Sequence, residues 1–445
     1  MFERTLLAAT LACALPIQAQ AVTDADLASL RAEFQQQLDQ KFKELQATYE
    51  ARLKEMEARL TDQTTAEQAT RPPASAANPE LSLILQGSYV QHKPGERRPT
   101  GFLGDAGIGA PTRGFSLNDT ELILAANIDP YFRGLANVIL ADGRANVEEA
   151  WFQTLSLDHG LTLKGGRFIS GIGYANEQHP HAWDFADNNL MYQILFGEHF
   201  VQDGLQLKWL APTETFLELG MEVGNGDAFP GANTAGGRNG AGSWAAFGHL
   251  GGDVGESNAW RAGLSWLSAR PKERESLLVD NGGVDTSNLF SGRSRTWITD
   301  FIWKWAPDGN PKERNFKFQS EYFQRDEDGD LIYDPTGVHS PGAYRARQSG
   351  WYAQGVYQFM PHWRAGLRYD RLNRGSLDYG ANNAALLAST YSPTRWSLMT
   401  DYAPSEFSLF RLQLARDHAM LGNPDDNQAT VQYIYSLGPH GAHKF

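Results

Sequence analysis

Trp363-Arg364-Ala365-Gly366-Leu367-Arg368-Tyr369-Asp370 puts Trp, Ala, Leu and Tyr on one face of a period-2 strand and Arg, Gly, Arg and Asp on the other. In a soluble sandwich the polar face would meet bulk water, and large exposed aromatics on the opposite face would have no purpose. A wall with lipid on one side and an aqueous lumen on the other explains both faces. The same texture recurs through the chain. Leu217, Leu219, Met221 and Val223 alternate with Glu218, Gly220 and Glu222, and Trp260, Ala262, Leu264 and Trp266 with Arg261, Gly263 and Ser265. Trp297, Thr299, Phe301, Trp303 and Trp305 alternate with Asp300 and Lys304, and Val431, Tyr433, Tyr435 and Leu437 with Gln432 and Ser436. These segments predict an all-β fold, a transmembrane antiparallel β-barrel.

Proline marks where the strands end, because it lacks a donor and belongs in turns of a closed sheet. Five such sites are Asp129-Pro130-Tyr131, Ala211-Pro212-Thr213, Ala306-Pro307-Asp308, Met360-Pro361-His362 and Ala403-Pro404-Ser405. Asp158-His159-Gly160 and the stretch from Gly251 to Asn258 add two short turns without proline. Mostly longer, polar, Gly-rich segments lie between them. Seven short turns and eight loops connect about sixteen strands, with both ends on the short-turn side, the asymmetry of outer-membrane barrels. Spread over residues 81–445, this leaves about 23 residues per strand, enough for a span of about 10 plus its connections.

Upstream of the barrel the chain changes character twice. Arg4, the apolar run Leu6 to Leu15 and Ala19-Gln20-Ala21 read as a secretory signal peptide over residues 1–21. The only cysteine, Cys13, lies within it, so the mature chain is expected to carry no disulfide and no thiolate metal site. Residues 22–70 read as an α-helical coiled coil in the periplasm. Leu27, Leu30, Phe34, Leu38, Phe42, Leu45, Tyr49, Leu53, Met56 and Leu60 repeat in blocks of eleven, a period of about 3.67 that suits a straight or slightly right-handed coil. One apolar stripe cannot bury itself, so self-association is expected. Residues 71–80, beginning Arg71-Pro72-Pro73, form a Pro-rich linker. Outside the signal, no segment approaches the ~18 apolar residues of a helical span. A formal charge of −13 argues against nucleic acid as a partner.

With this architecture the chain resembles the phosphate-selective porin O/P-like family of Gram-negative outer-membrane porins. Phe115-Ser116-Leu117-Asn118-Asp119-Thr120-Glu121-Leu122 and the ending Gly438-Pro439-His440-Gly441-Ala442-His443-Lys444-Phe445 are similar to segments of bacterial porin-like proteins. The terminal Phe445 resembles the signal read by the barrel-assembly machinery. The resemblance implies passive diffusion of small hydrophilic solutes or ions through a homotrimer set among lipopolysaccharide. The periplasmic coil would extend towards peptidoglycan.

Selectivity is expected in the longest loop, Ile169 to Asp203, third in order among the outside loops. It carries Glu177, Asp184, Asp187, Glu198 and Asp203 and no Lys or Arg, which favours cations in a narrow pore. An anion or phosphate channel needs a basic ladder there instead. The pore constriction is assigned to Glu177, His179, His181, Asp184, Asp187, Glu198 and His199. Basic Lys208, Arg261, Lys317, Arg364 and Arg368 are expected in the lumen, interleaved with Glu218, Glu222, Asp300, Glu321 and Asp370. No resident cofactor is expected, but His179-Pro180-His181 near these acids suits a transient divalent cation such as zinc, which would make a metal-uptake channel. The plainer reading is that both rings hydrogen-bond to the wall. Asp326-Glu327-Asp328-Gly329-Asp330 and Asp334 resemble part of a calcium loop without its spacing, and a solvated loop is the simpler expectation. An outer-membrane hydrolase has only Ser408, Asp417 and His418 to draw on, and a TonB-dependent receptor needs a plug of more than a hundred residues, so the chain is read as no enzyme.

Overall fold

The computed structural model describes residues 36, 40–41, 79–93, 102–103, 112–141, 143–232, 240–334, 339–386, 391–419 and 425–438. The signal peptide, nearly all of the expected coiled coil, most of the linker and Phe445 lie outside the described residues. The barrel belongs to the unit Ala76–Phe445.

Its strands are β1 (Glu80–Gln91), β2 (Gly114–Leu117), β3 (Thr120–Asn127), β4 (Phe132–Ala141), β5 (Arg144–Thr154), β6 (Leu161–Ile169), β7 (Val201–Leu210), β8 (Phe216–Gly224) and β9 (Ser243–Val254). They continue with β10 (Asn258–Ala269), β11 (Arg274–Val279), β12 (Asp285–Trp305), β13 (Asn315–Asp334), β14 (Ser340–Met360), β15 (Trp363–Asp378), β16 (Thr394–Ser405), β17 (Ser408–Asp417) and β18 (Asp426–Leu437). β2 and β3 both pair with β1, and β10 and β11 both pair with β12, so each couple is one interrupted stave. β1 meets β18 in antiparallel register, Leu83 opposite Leu437 and Gln91 opposite Ala429, which closes the sheet. The result is a closed sixteen-strand antiparallel barrel.

Short connections alternate with long ones as the proline positions require. One turn differs in place: Ala403-Pro404-Ser405 ends β16, and the chain reverses at Glu406-Phe407, where Ser405 faces Ser408. The acidic run Asp326–Asp330 is a correction of kind. It lies in β13, not in a loop, because β12, β13 and β14 are 21, 20 and 21 residues long and run well past the ~10 needed to cross a bilayer. Its side chains alternate accordingly. Glu327 points inward to Arg274 at 2.9 Å, while Asp328 bonds Arg295 at 2.8 Å across the strand pair. No calcium loop is formed there.

The outer face is apolar, with Met221 61% and Leu398 54% exposed. Two rings of aromatics bound it. One holds Trp303 against Phe316, Trp363 against Tyr402 and Phe410 against Tyr433, near the short turns. The other holds Trp266 against Trp297, and Trp351 and Trp396 either side of Tyr369. Along β12, β15 and β16 the two rings keep one common spacing, about 20 Å along the strand.

The lumen is less uniformly polar than strand alternation suggests. Phe247, Leu267, Ile298, Phe323, Tyr352 and Leu372 point inward from successive strands and are all buried. What buries them is the third outside loop.

Candidate functional site

Residues 170–200 leave β6, fold into the barrel and return to β7. Ser170 N donates to Phe200 O at 3.0 Å, and the Asn176 amide bonds both Ser170 O and Phe200 O, so the two ends of the loop are tied together. Within it lies a short helix, α1 (Leu190–Phe196), whose seven residues Leu-Met-Tyr-Gln-Ile-Leu-Phe carry no charge and are all buried. The Asn189 side chain accepts from Tyr192 N at 3.1 Å to cap its start, and Gly197 ends it with a φ of 67°. The helix packs on the inward apolar patch, and each buried Leu, Ile or Phe contributes about 2 kcal/mol. A mostly apolar, uncharged helix in a wet lumen is stable only against such a patch, with Gln193 bonded to Asn188 O and the Tyr192 hydroxyl to Glu321.

Polar anchors fix the rest. Glu321 of β13 accepts from Tyr174 N at 3.1 Å, Ala175 N at 2.9 Å, the Tyr192 hydroxyl at 2.9 Å and the Tyr352 hydroxyl at 2.6 Å. Gly173 sits directly over this carboxylate with a φ of 67°, where any Cβ would collide with Tyr192 and Glu321. Glu222 takes Ser170 Oγ at 2.6 Å and Gly171 N at 2.9 Å.

The loop's acids do not stand alone. Asp184 bonds Lys317 at 2.5 Å and Arg364 at 3.3 Å, and Asp187 bonds Arg368 at 2.7 Å and Arg395 at 2.8 Å. Glu177 lies 3.9 Å from Arg261. Burial opposes ionisation of Asp184 and Asp187, but the neighbouring Lys317 and Arg364, and Arg395 and Arg368, outweigh it and hold both carboxyls below their usual range. Glu198 behaves oppositely. Burial, then the charges of Asp119, Asp187 and Glu148, push it up to about 7. Asp203 lies in β7, not in the loop, and pairs with Arg167 at 2.6 Å.

The inward residues expected from alternation meet the loop or one another. Glu218 bonds Lys208 at 2.6 Å, Arg261 stacks over Tyr174, and Arg364 bonds Asp401 at 2.6 Å. Asp300 and Asp370 are buried on the same face. Ser408 and Asp417 sit at opposite ends of β17, too far apart to act on one substrate.

His179 and His181 flank Pro180 in a single 3-10 turn, and their rings stack at 5.7 Å. They meet three wall acids. His179 Nδ1 lies 3.2 Å from Glu148 and 3.6 Å from Glu121, His179 Nε2 lies 3.3 Å from Glu149, and His181 Nδ1 lies 2.7 Å from the other Glu121 oxygen. Burial works against charge on His179, but its bonds to Glu148 and Glu149 prevail and raise its pKa well above the ordinary value. His199 stands apart, stacked on Trp183 at 5.3 Å. The sequence reading missed the three glutamates. Glu148-Glu149 is an adjacent acidic pair inside a strand, and strict alternation would send one of them to lipid. That conflict was the available signal. The strand resolves it with a bulge: Asn137 faces Glu149, Val138 faces Val147, and Glu148 is the extra residue.

The loop divides the lumen. An outer cavity of about 1240 Å³ is lined by Gln86, Asn118, Asp119, Arg144, Asp187 and Glu198 among others. An inner one of about 530 Å³, next to the short turns, meets Asp184, Asp253, Glu256, Lys304, Lys317 and Arg364. Between them, beside Trp183, Phe185 and Arg368, a space of about 30 Å³ has room for about one water.

A closed barrel with an apolar, aromatic-ringed exterior and a narrowed polar interior is a transmembrane β-barrel. No known family model matches the chain. A protein of Aquifex aeolicus (strain VF5), described as an uncharacterized protein, is 31% identical over 392 residues, which cover 82% of this chain and 80% of that one. The chain belongs to the family of that Aquifex protein. Among solved structures, the trimer form of OmpT, an outer membrane protein of Vibrio cholerae, is 10% identical with a TM-score of 0.49, over 81% of this chain and 99% of that one. The outer membrane channel DcaP of Acinetobacter baumannii is 12% identical with a TM-score of 0.46, over 81% and 97%.

Proposed function

We propose that this barrel is an outer-membrane porin of a Gram-negative cell, a passive channel for small hydrophilic solutes or ions that prefers cations. The observation that carries the reading is the loop 170–200, which folds into a polar lumen and stands between two cavities of about 1240 and 530 Å³. The outer cavity supports the cation preference. Among the described residues its lining includes Asp119 and Glu198 against the base Arg144, while the charge of Asp187 is offset by Arg368 and Arg395. The wall arginines do not make a free ladder for phosphate, since Arg364, Arg368, Arg395 and Arg411 each pair with Asp184, Asp187, Asp370 or Asp401. The likeness to phosphate-selective porins is therefore one of architecture.

Reversal potentials in planar bilayers under a salt gradient test this, and clear anion preference would refute it. Glu198 adds a pH signature. Its carboxyl is neutral below about 7 and charged above, so cation preference should grow as pH rises through that value. Glu198→Gln should flatten the dependence; an unchanged profile would assign it to other groups.

We further propose a homotrimer, seated among lipopolysaccharide and inserted by the barrel-assembly machinery, with the coil of residues 22–70 directed towards peptidoglycan. On the barrel, a shallow apolar hollow of about 470 Å³ floored by Leu124, Ala126, Gly134, Ala136 and Gly165 supports close approach of a second copy. Deleting residues 24–70 should leave the barrel inserted and lower the temperature at which trimers dissociate on detergent gels. Trimers of undiminished heat resistance would show that the coil has another task.

A further inference from the structure

We propose that His179, Glu121 and Glu148 bind a divalent transition-metal ion, zinc or manganese by chemistry, which fastens the inserted loop to the barrel wall. The site does not depend on the barrel being a conducting channel.

Three adjacent strands and the loop build it. Glu121 rises from β3, Asn137 from β4, and Glu148 from the bulge in β5, while the Pro180 turn brings His179 down on them. One ligand atom from each of Glu121, Glu148 and His179 lies within 4.8 Å of the others. The measured edges, 3.2 Å from His179 Nδ1 to Glu148 and 3.6 Å to Glu121, fit the separations that bonds of about 2.0–2.2 Å to one ion create. Around these ligands stands a second layer. Glu149 holds His179 Nε2 at 3.3 Å, the carboxylate–histidine pairing that fixes a ligating ring, and His181 holds the free Glu121 oxygen at 2.7 Å.

Two observations favour a ligand over a plain ion-pair cluster. Elsewhere the loop meets the wall through Lys317, Arg364, Arg368 and Arg395, whereas here imidazole, a base that also ligates metal, replaces them. Asn137 is the second. It is 1% exposed, its Nδ2 reaches Glu148 at 2.8 Å and Glu121 at 3.3 Å, and its Oδ1 has no partner among the described residues. Turning the amide over about its last bond aims that orphan oxygen between the two carboxylates as a fourth ligand. One imidazole with two carboxylates and an amide oxygen suits zinc or manganese better than copper(I) or an iron–sulfur cluster.

The test uses the full chain in detergent, stripped with EDTA and titrated with zinc chloride or manganese chloride by equilibrium dialysis. One tightly held ion per chain is expected. Glu149→Gln should weaken it about tenfold, and Glu148→Gln or His179→Ala by more. X-ray absorption of the wild-type zinc complex should show oxygen with one imidazole, or two if His181 joins, a readout that needs no variant to fold. No stoichiometric ion, a sulfur or all-oxygen shell, or equal binding in Glu148→Gln and His179→Ala would overturn the proposal, leaving the histidines as pins of the loop.

Discussion

Replacing residues 174–198 by a short Gly/Ser linker should raise single-channel conductance several-fold and erase most of the ion preference. The loop ends already meet, with Ser170 N on Phe200 O at 3.0 Å, so a short linker closes the gap without straining β6 or β7. What disappears is the whole partition, including α1, Trp183, Phe185 and the paired acids. The deletion uncovers Phe247, Ile298, Phe323, Tyr352 and Leu372, but on a lumen then wide enough to stay wet. Conductance unchanged by the deletion would mean that current does not pass the narrow space, and the porin reading would lose its main support.

Arg395→Met should destabilise the loop and its wall by about 3–5 kcal/mol. Arg395 is wholly buried and lies 2.8 Å from Asp187, 3.6 Å from Asp370 and 3.9 Å from Asp417, with Asn188 O also 2.8 Å away. Removing it takes away a cation that three carboxylates share and leaves Arg368 alone to serve Asp187 and Asp370. Faster proteolysis within 170–200 and a lower denaturation midpoint should both appear. Adding Asp370→Asn should recover part of the loss, since it deletes one uncompensated charge, and the non-additivity measures the coupling. A single variant as stable as the wild type would show that water, not Arg395, solvates these acids.

Much of this fold was legible because a barrel wall obeys one simple rule, and Trp363–Asp370 states it eight residues at a time. Proline positions located the short turns to within a few residues. The reading failed where local pattern ceased to be the governing term. Ile298 and Phe323 point inward against the rule, and only the distant helix α1 gives them a reason. The acids of the loop were visible, but their partners Lys317, Arg364, Arg368 and Arg395 lie more than a hundred residues away. Lys317, Arg364 and Arg368 were expected in the lumen, but charge counted along the loop did not reveal that they pair with its acids. Glu148 was hidden differently, since a bulge is an exception to alternation and shows in sequence only as a doublet out of phase.

The anchoring of the loop also dictates an order of assembly. The half around His179 and His181 docks on Glu121, Glu148 and Glu149, all earlier in the chain. The half around Trp183 to Asn188 docks on Arg364, Arg368, Arg395, Arg411 and Gln413, some 180 to 228 residues later. Contacts so remote in sequence form late, because the intervening chain must first give up its freedom. The loop is thus expected to dock its second half last, once β15 to β17 are in place. Its second half is a latch that only a finished cylinder can engage, which makes resistance of residues 183–188 to protease a natural clock for closure.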